Sequence, residues 1–307
     1  MPRRSRRCWK RSRFEGILSV NSRPSTSPVE QDVEINGLTL HYCTWGEFTR
    51  SDRVVVLIHG LTSHHRIWVE FGPLLAGQGW FVIAPDLRGR GLSSKPPHGY
   101  GLPFHVNDLL SLYDLLGISK VHLVGHSLGA LISLFHAAFH PERTGKIVLV
   151  DAGGKIPEDT IQAIGLALSR LGQVYPSLES YINIFRQSPV FNWNRFWENY
   201  ICYDLDIRSD GTVSSLVPKG AIMEEIAVNT SIRTDILPNH INTPTLLVRA
   251  DEGLLGKDRG LVLPQEEAER ICEIIPGSRF VNIPGANHYT LILSEVFKTE
   301  VAAFLAE

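Results

Sequence analysis

The stretch that most restricts this chain is residues 121–130. An apolar run, Val121-His122-Leu123-Val124, is followed at once by Gly125-His126-Ser127-Leu128-Gly129, and then by Ala130, Leu131, Ile132, Leu134 and Phe135 at helical spacing. The pattern predicts a buried strand that turns into a helix with no loop between them. Gly125 and Gly129 remove the Cβ atoms that would clash in so tight a turn, so Ser127 stands on it with its hydroxyl above the sheet edge. Gly-Ser-Gly stretches are most often plain loops. A strand directly before and a helix directly after make this one a strand-to-helix elbow.

The rest of the chain supplies the sheet that such a strand needs. Residues 33–42 alternate apolar and polar around Asn36-Gly37, which predicts a hairpin of two antiparallel strands. Val54-Val55-Val56-Leu57-Ile58 is a continuous apolar run, as expected of a strand covered on both faces. A helix over 68–76, a strand over 80–84, a helix over 106–116, the elbow strand, and a strand over 147–150 follow in turn. This alternation predicts an α/β fold, a doubly wound and mostly parallel sheet with right-handed crossovers. It then stops. Between Lys155 and Thr243 there are only helix-like segments, such as 160–171 and 178–186, and a region dense in aromatics, until strands resume at 245–250 and 279–283 before a last helix over 294–306. The expected organisation is a tail over 1–30, a core formed by 31–154 with 244–307, and an inserted helical cap over 155–243 at the carboxyl edge of the sheet.

Charge bears on partners through its distribution. Seven Arg and Lys precede the first acid, Glu15, which leaves 23 Lys and Arg against 32 Asp and Glu in the remainder. A mildly acidic body argues against nucleic acid as a partner, since phosphate binding needs a basic face on the fold itself. The tail is basic and rich in Ser and Pro, is expected to be disordered, and resembles an organellar transit peptide as much as a segment without an address. A cytoplasmic location is expected, with organellar targeting open. No apolar run approaches the length of a membrane span. Cys8, Cys43, Cys202 and Cys272 are scattered without metal-ligand spacing and read as reduced thiols. His64-His65 side chains should diverge, so neither a metal nor another cofactor is expected, and the oligomeric state stays open.

A serine on an elbow needs a base, and the base an orienting carboxylate. His288, in Pro284-Gly285-Ala286-Asn287-His288, follows the last strand and so falls at the same sheet edge as Ser127. His126 fills the elbow position before the serine, and His59 belongs to a turn. The acid has three candidates. Asp251 directly follows strand 245–250 and is preferred, while Glu252, one residue on, and Asp151, after strand 147–150, are the alternatives. Leu128, first in the helix, and Leu61, next to Gly60 after strand 54–58, are positioned to offer the two backbone N–H groups of an oxyanion hole.

In these motifs the chain resembles the α/β-hydrolase fold superfamily over residues 33–307. His59-Gly60, Asp86-Leu87-Arg88-Gly89-Arg90-Gly91, Gly125-His126-Ser127-Leu128-Gly129 and Gly285-Ala286-Asn287-His288 occur in the order that superfamily shows. Many members carry Gly-x-x-Asp beyond the strand preceding the acid, whereas this chain reads Ala250-Asp251-Glu252-Gly253. The resemblance implies a serine hydrolase similar to the helical-cap esterases and carbon–carbon bond hydrolases, with residues 86–91 as a structural turn. A carboxylic ester with an apolar or aromatic portion is the expected small-molecule substrate, because Tyr175, Tyr181, Phe185, Phe191, Trp193, Phe196, Trp197, Tyr200 and Tyr203 lie in the cap. Cleavage of a dienoate-type carbon–carbon bond or of a lactone by the same residues is the alternative. A non-catalytic small-molecule receptor is the alternative of another class.

Overall fold

The computed structural model describes residues 26–307. The chain enters through β1 (Val29–Ile35) and β2 (Leu38–Trp45), joined by Asn36 and Gly37 at φ 50° and 73°, the two left-handed residues a tight hairpin turn requires. β1 thus starts inside the stretch expected to belong to the tail. The disorder and targeting expected of residues 1–25 lie outside the described residues. Next come β3 (Val54–Ile58), α1 (Phe71–Gly77), β4 (Phe81–Pro85), α2 (Leu102–Leu115), β5 (Val121–His126), α3 (Leu128–Phe139) and β6 (Thr144–Val150). α2 starts four residues ahead of the expected position, because Gly101 at φ 128° stops the preceding loop and Pro103 fits the first helical turn.

Beyond β6 the chain leaves the sheet for α4 (Glu158–Leu168), α5 (Leu178–Arg186), α6 (Arg195–Tyr203), a ribbon of β7 (Leu205–Ile207) with β8 (Val213–Ser215), and α7 (Lys219–Ser231). The ribbon escaped the sequence pattern because three-residue strands are too short to show alternation. The sheet resumes with β9 (Thr245–Ala250), followed by the small β10 (Glu252–Gly253) and β11 (Gly256–Lys257) pair, α8 (Gln265–Ile274), β12 (Arg279–Ile283) and α9 (Glu295–Ala306). Among the described residues no helix is long and apolar enough to cross a membrane.

The eight-stranded sheet has the order β1-β2-β4-β3-β5-β6-β9-β12 and is parallel from β4 to β12, with β2 antiparallel to both its neighbours. Alternate residues of β3 face opposite layers. Val54, Val56 and Ile58 meet α2, α3 and α8, while Val55 and Leu57 meet α1 and α9. Both faces are covered, which is why the run contains no polar residue.

This order places the site. From β3 the chain crosses to β4 on one side, and from β5 it crosses to β6 on the other, with α1 and α3 on opposite faces. The loops leaving β3 and β5 therefore diverge, and a crevice opens at the carboxyl ends of these two neighbours. Leu61 and Ser127 stand on those two loops.

Candidate active site

Ser127 occupies the elbow at φ 56° and ψ −117°, outside the regions open to ordinary residues. Such a conformation costs about 1–3 kcal/mol and persists only where its surroundings enforce it. Here the packing enforces it. A Cβ on Gly125 would collide with the carbonyl of Gly129, and a Cβ on Gly129 with the carbonyl of Ile58 in β3, so both glycines serve close approach while the serine takes the strained turn. The Ser127 N–H donates to Val150 O at 2.9 Å, which ties the elbow to the end of β6.

His288, 8% exposed, donates from Nδ1 to a carboxylate oxygen at 2.8 Å, and that carboxylate belongs to Asp151. The expected partner, Asp251, does not make this contact. Its Oδ1 is buried without a hydrogen-bond partner, and Glu252 is exposed in β10 with its N–H on Ala286 O. The reason lies in lateral strand order. Asp151 follows β6, the strand beside the elbow, and at φ 49° adopts the left-handed conformation that Asp tolerates better than most residues. Its own N–H donates to Val248 O at 2.7 Å, and its Oδ1 accepts the Ala250 N–H at 3.1 Å, so β9 itself fixes this carboxylate. With Nδ1 carrying the proton, a neutral His288 ring has Nε2 free to accept one.

Two further histidines organise the site, neither of which the sequence pattern gave a part in the chemistry. His126 Nε2 donates to His288 O at 2.9 Å, with the two rings 4.4 Å apart, so the residue before the serine holds the loop that carries the imidazole. Burial, then the neighbouring His288, keeps its pKa well below the usual histidine range. His59, fully buried, accepts the Leu87 N–H at Nε2 (3.0 Å), which leaves Nδ1 to donate to Gly60 O at 2.8 Å. In a trans peptide the C=O and N–H point opposite ways, so pinning the Gly60 carbonyl turns the Leu61 N–H to the other side. Burial holds the His59 pKa at about 3, so the ring stays neutral in this role. Arg90 Nε grips Leu61 O at 2.9 Å from behind. A Cβ on Gly60 would sit 3.2 Å from Ser127 Cβ, which measures how close this loop comes to the elbow. Leu128, the first residue of α3, has an N–H with no carbonyl a turn back within its helix.

Comparison with known proteins agrees with the fold. The family model of the alpha/beta hydrolase fold matches residues 53–180. The chain is 26% identical over 217 residues to the 2-(acetamidomethylene)succinate hydrolase of Mesorhizobium japonicum, covering 68% of this chain and 72% of that protein. It is 25% identical over 287 residues to a serine hydrolase-like protein of Danio rerio, covering 85% and 86%. The crystal structure of an E-2-(acetamidomethylene)succinate hydrolase superposes with a TM-score of 0.79 at 22% identity, over 92% of this chain and all of that one. The chain has the α/β-hydrolase fold.

In this α/β-hydrolase fold the segment between β6 and β9 lies across both loops of the crevice. Over the β3 loop, Tyr200 donates to Ser63 Oγ (2.8 Å), His64 Nε2 to Tyr200 O (3.0 Å), and Arg170 Nη2 to Thr62 Oγ1 (3.1 Å). Over the His288 loop, Asn287 Nδ2 donates to Val190 O (2.9 Å) and the Phe191 ring packs 4.8 Å from Tyr289. Of the aromatics, Tyr181 and Trp197 are buried packing residues, whereas Tyr200 and Tyr203 reach the core through their hydroxyls.

Residues 86–91 form a turn whose polar groups are consumed internally. Asp86 accepts the His65 and Leu92 N–H groups and the Tyr203 hydroxyl, Arg88 is bidentate on Asp108 at 2.6 Å, and Arg90 pairs at 2.9 Å with Glu225 of α7. Two ionisable groups of the segment stand out. Arg170 Nε is buried with no hydrogen-bond partner, in a guanidinium close enough to perturb the hydroxyls of Tyr181, Tyr200 and Tyr289. Burial pushes the Asp204 carboxyl up to about 7.

Proposed function

We propose that this α/β-hydrolase is a serine esterase that forms an acyl-enzyme on Ser127. His288 takes the serine proton as Ser127 attacks the carbonyl, Asp151 holds the imidazole in the Nδ1–H tautomer, and the Leu61 and Leu128 amides receive the oxyanion. The leaving alcohol departs with the proton from His288, and a water activated by the same ring releases the acid. The residues between β6 and β9 form a cap, with an apolar and aromatic underside suited to an ester of that character. The observation that carries this reading is the enforced left-handed Ser127 beside a buried His288–Asp151 pair.

Hydrolysis of p-nitrophenyl butyrate tests it. Ser127→Ala should lower kcat by about 10⁴ to 10⁶ while the fold survives, and a phosphonate should add its mass to Ser127 in the wild-type protein. More than a tenth of wild-type turnover in the variant would remove Ser127 from the chemistry.

A second reading is favoured by Arg170. The Arg170 guanidinium, beyond α4 and bonded to Thr62 of the loop that follows β3, with a buried Nε lacking a partner, suits a substrate that carries a carboxylate near the scissile bond, ester or otherwise. Under that reading Arg170→Met raises KM for a hemisuccinate ester and leaves the butyrate unaffected. Equal effects on both esters would exclude it.

A further inference from the structure

We infer that the protein carries a zinc-type metal site where the β1–β2 hairpin meets the loop after β3, formed by Glu30, His41 and His65. One ligand atom from each lies within 4.8 Å of the other two. The nitrogens left for a metal are the Nε2 atoms, because His41 Nδ1 is on Asp32 Oδ1 at 2.6 Å and His65 Nδ1 on Asp86 Oδ1 at 2.9 Å. His41 is 5% exposed and its Nε2 is buried with no partner. His65 is 1% exposed, and its Nε2 stands 3.6 Å from Glu30 Oε1, too far for a good hydrogen bond and near the roughly 3.3 Å ligand separation of a tetrahedral zinc.

The surroundings match the donors. A metal-bound histidine ordinarily gives its other N–H to a carboxylate, which fixes the tautomer, and here both rings do so. Of the three carboxylates here, Glu30 meets Arg66, whose Nη2 is 3.0 Å from its Oε1, whereas Asp32 and Asp86 are paired to the His41 and His65 rings, so a divalent cation held between those rings would balance the charge. A carboxylate has lone pairs on both oxygens, so the Arg66 contact leaves Glu30 able to ligate. Two imidazoles and one carboxylate select zinc over magnesium or calcium. Glu30 is exposed, which gives the ion an entry path and leaves a fourth position for water. The set is invisible to a search for closely spaced ligands. His64, adjacent in sequence, turns away to Tyr200 O, while the β1–β2 register puts Asp32 opposite His41 and Glu30 opposite Cys43 on the same face. Bound there, the ion would staple the hairpin to the core and would take no part at Ser127.

Calorimetric titration of zinc chloride into untagged, EDTA-treated full-length protein tests this. One equivalent should bind with a Kd below about 10 μM, raising Tm by a few degrees at 100-fold excess over Kd, while magnesium does neither. Glu30→Gln, an exposed position, and His41→Gln should each weaken binding at least tenfold, and Asp32→Asn, which touches only the outer nitrogen of His41, by about tenfold or more. No saturable binding at 100 μM zinc overturns the site, as does unchanged affinity in both Glu30→Gln and His41→Gln, which would place the zinc elsewhere.

Discussion

The sheet core and the segment laid over it are held by different physics. In the core, β3, β5 and β6 are sealed between two helical layers by aliphatic side chains with essentially no exposure. Each such side chain stabilises the fold by about 1.5–3 kcal/mol, without directional demands. The overlying segment has two small apolar clusters of its own, around Tyr181, Ile182, Ile201 and Val213 and around Leu171, Val217 and Ile222, and it adds Trp197 to the core layer over α1 and α9, with Phe191, Trp193, Phe196 and Tyr200 packed beside it. Its attachment to the core combines that aromatic packing with directional polar contacts. Glu225 of α7 meets Arg90 at 2.9 Å and His105 at 2.7 Å with all three side chains fully buried, and Tyr203 donates to Asp86 at 2.8 Å. A core built on apolar area holds the catalytic candidates in register. A cover held in part by polar clasps can have those clasps altered group by group.

The largest effect should come from the core side. Asp151→Asn should lower kcat by up to about 10⁴ with little change in KM, because the amide no longer fixes the Nδ1–H tautomer. Asp251→Asn should stay within about tenfold of wild type. The reverse result in ester hydrolysis would return the carboxylate to the end of β9 and break the link between β6 and the site.

The clasp should register next, in stability rather than chemistry. Glu225→Gln leaves the Arg90 guanidinium buried without its counter-charge, which costs about 3–5 kcal/mol. Thermal and urea unfolding measure it, and a loss under about 1 kcal/mol would make this contact no better than a surface ion pair.

A smaller, pH-dependent effect belongs to Asp204 in the cover. Its Oδ2 accepts Ser215 Oγ at 3.0 Å, its Oδ1 is buried without a partner, and Lys95, Arg170 and Asp86 are the charged groups that act on it. With the folded value raised to about 7, the folded state keeps a proton that the unfolded chain releases at about pH 4. Stability contributed by this group therefore falls as pH rises from about 4 to 7, then levels off. Asp204→Asn should gain on wild type by roughly 2 kcal/mol more at pH 8 than at pH 5. A difference independent of pH would show that burial does not perturb this carboxyl.

What was legible in the chain was what local period encodes. The β-branched run at 54–58 and the mainly aliphatic run at 245–250 are strands because both faces are covered, Asn36-Gly37 turns because both residues accept positive φ, and α5 occupies 178–186 as its spacing requires. The strand, the two glycines and the helix around Ser127 were likewise readable, since all lie within ten residues. The carboxylate was not. Asp151 and Asp251 both follow a strand directly, and nothing near either reveals that β6 lies beside the elbow strand and that β9 donates an N–H to Asp151. His59 reads in sequence as part of a turn and His126 as the filler of the elbow position, and only their partners from other loops, Leu87 and His288, give them their roles. Glu30, His41 and His65 meet only through strand register and a crossover. Backbone period is a property of neighbours in the chain, so sequence determines it. Which side chains face each other across strands depends on lateral order and register, and these exist only once the sheet has closed.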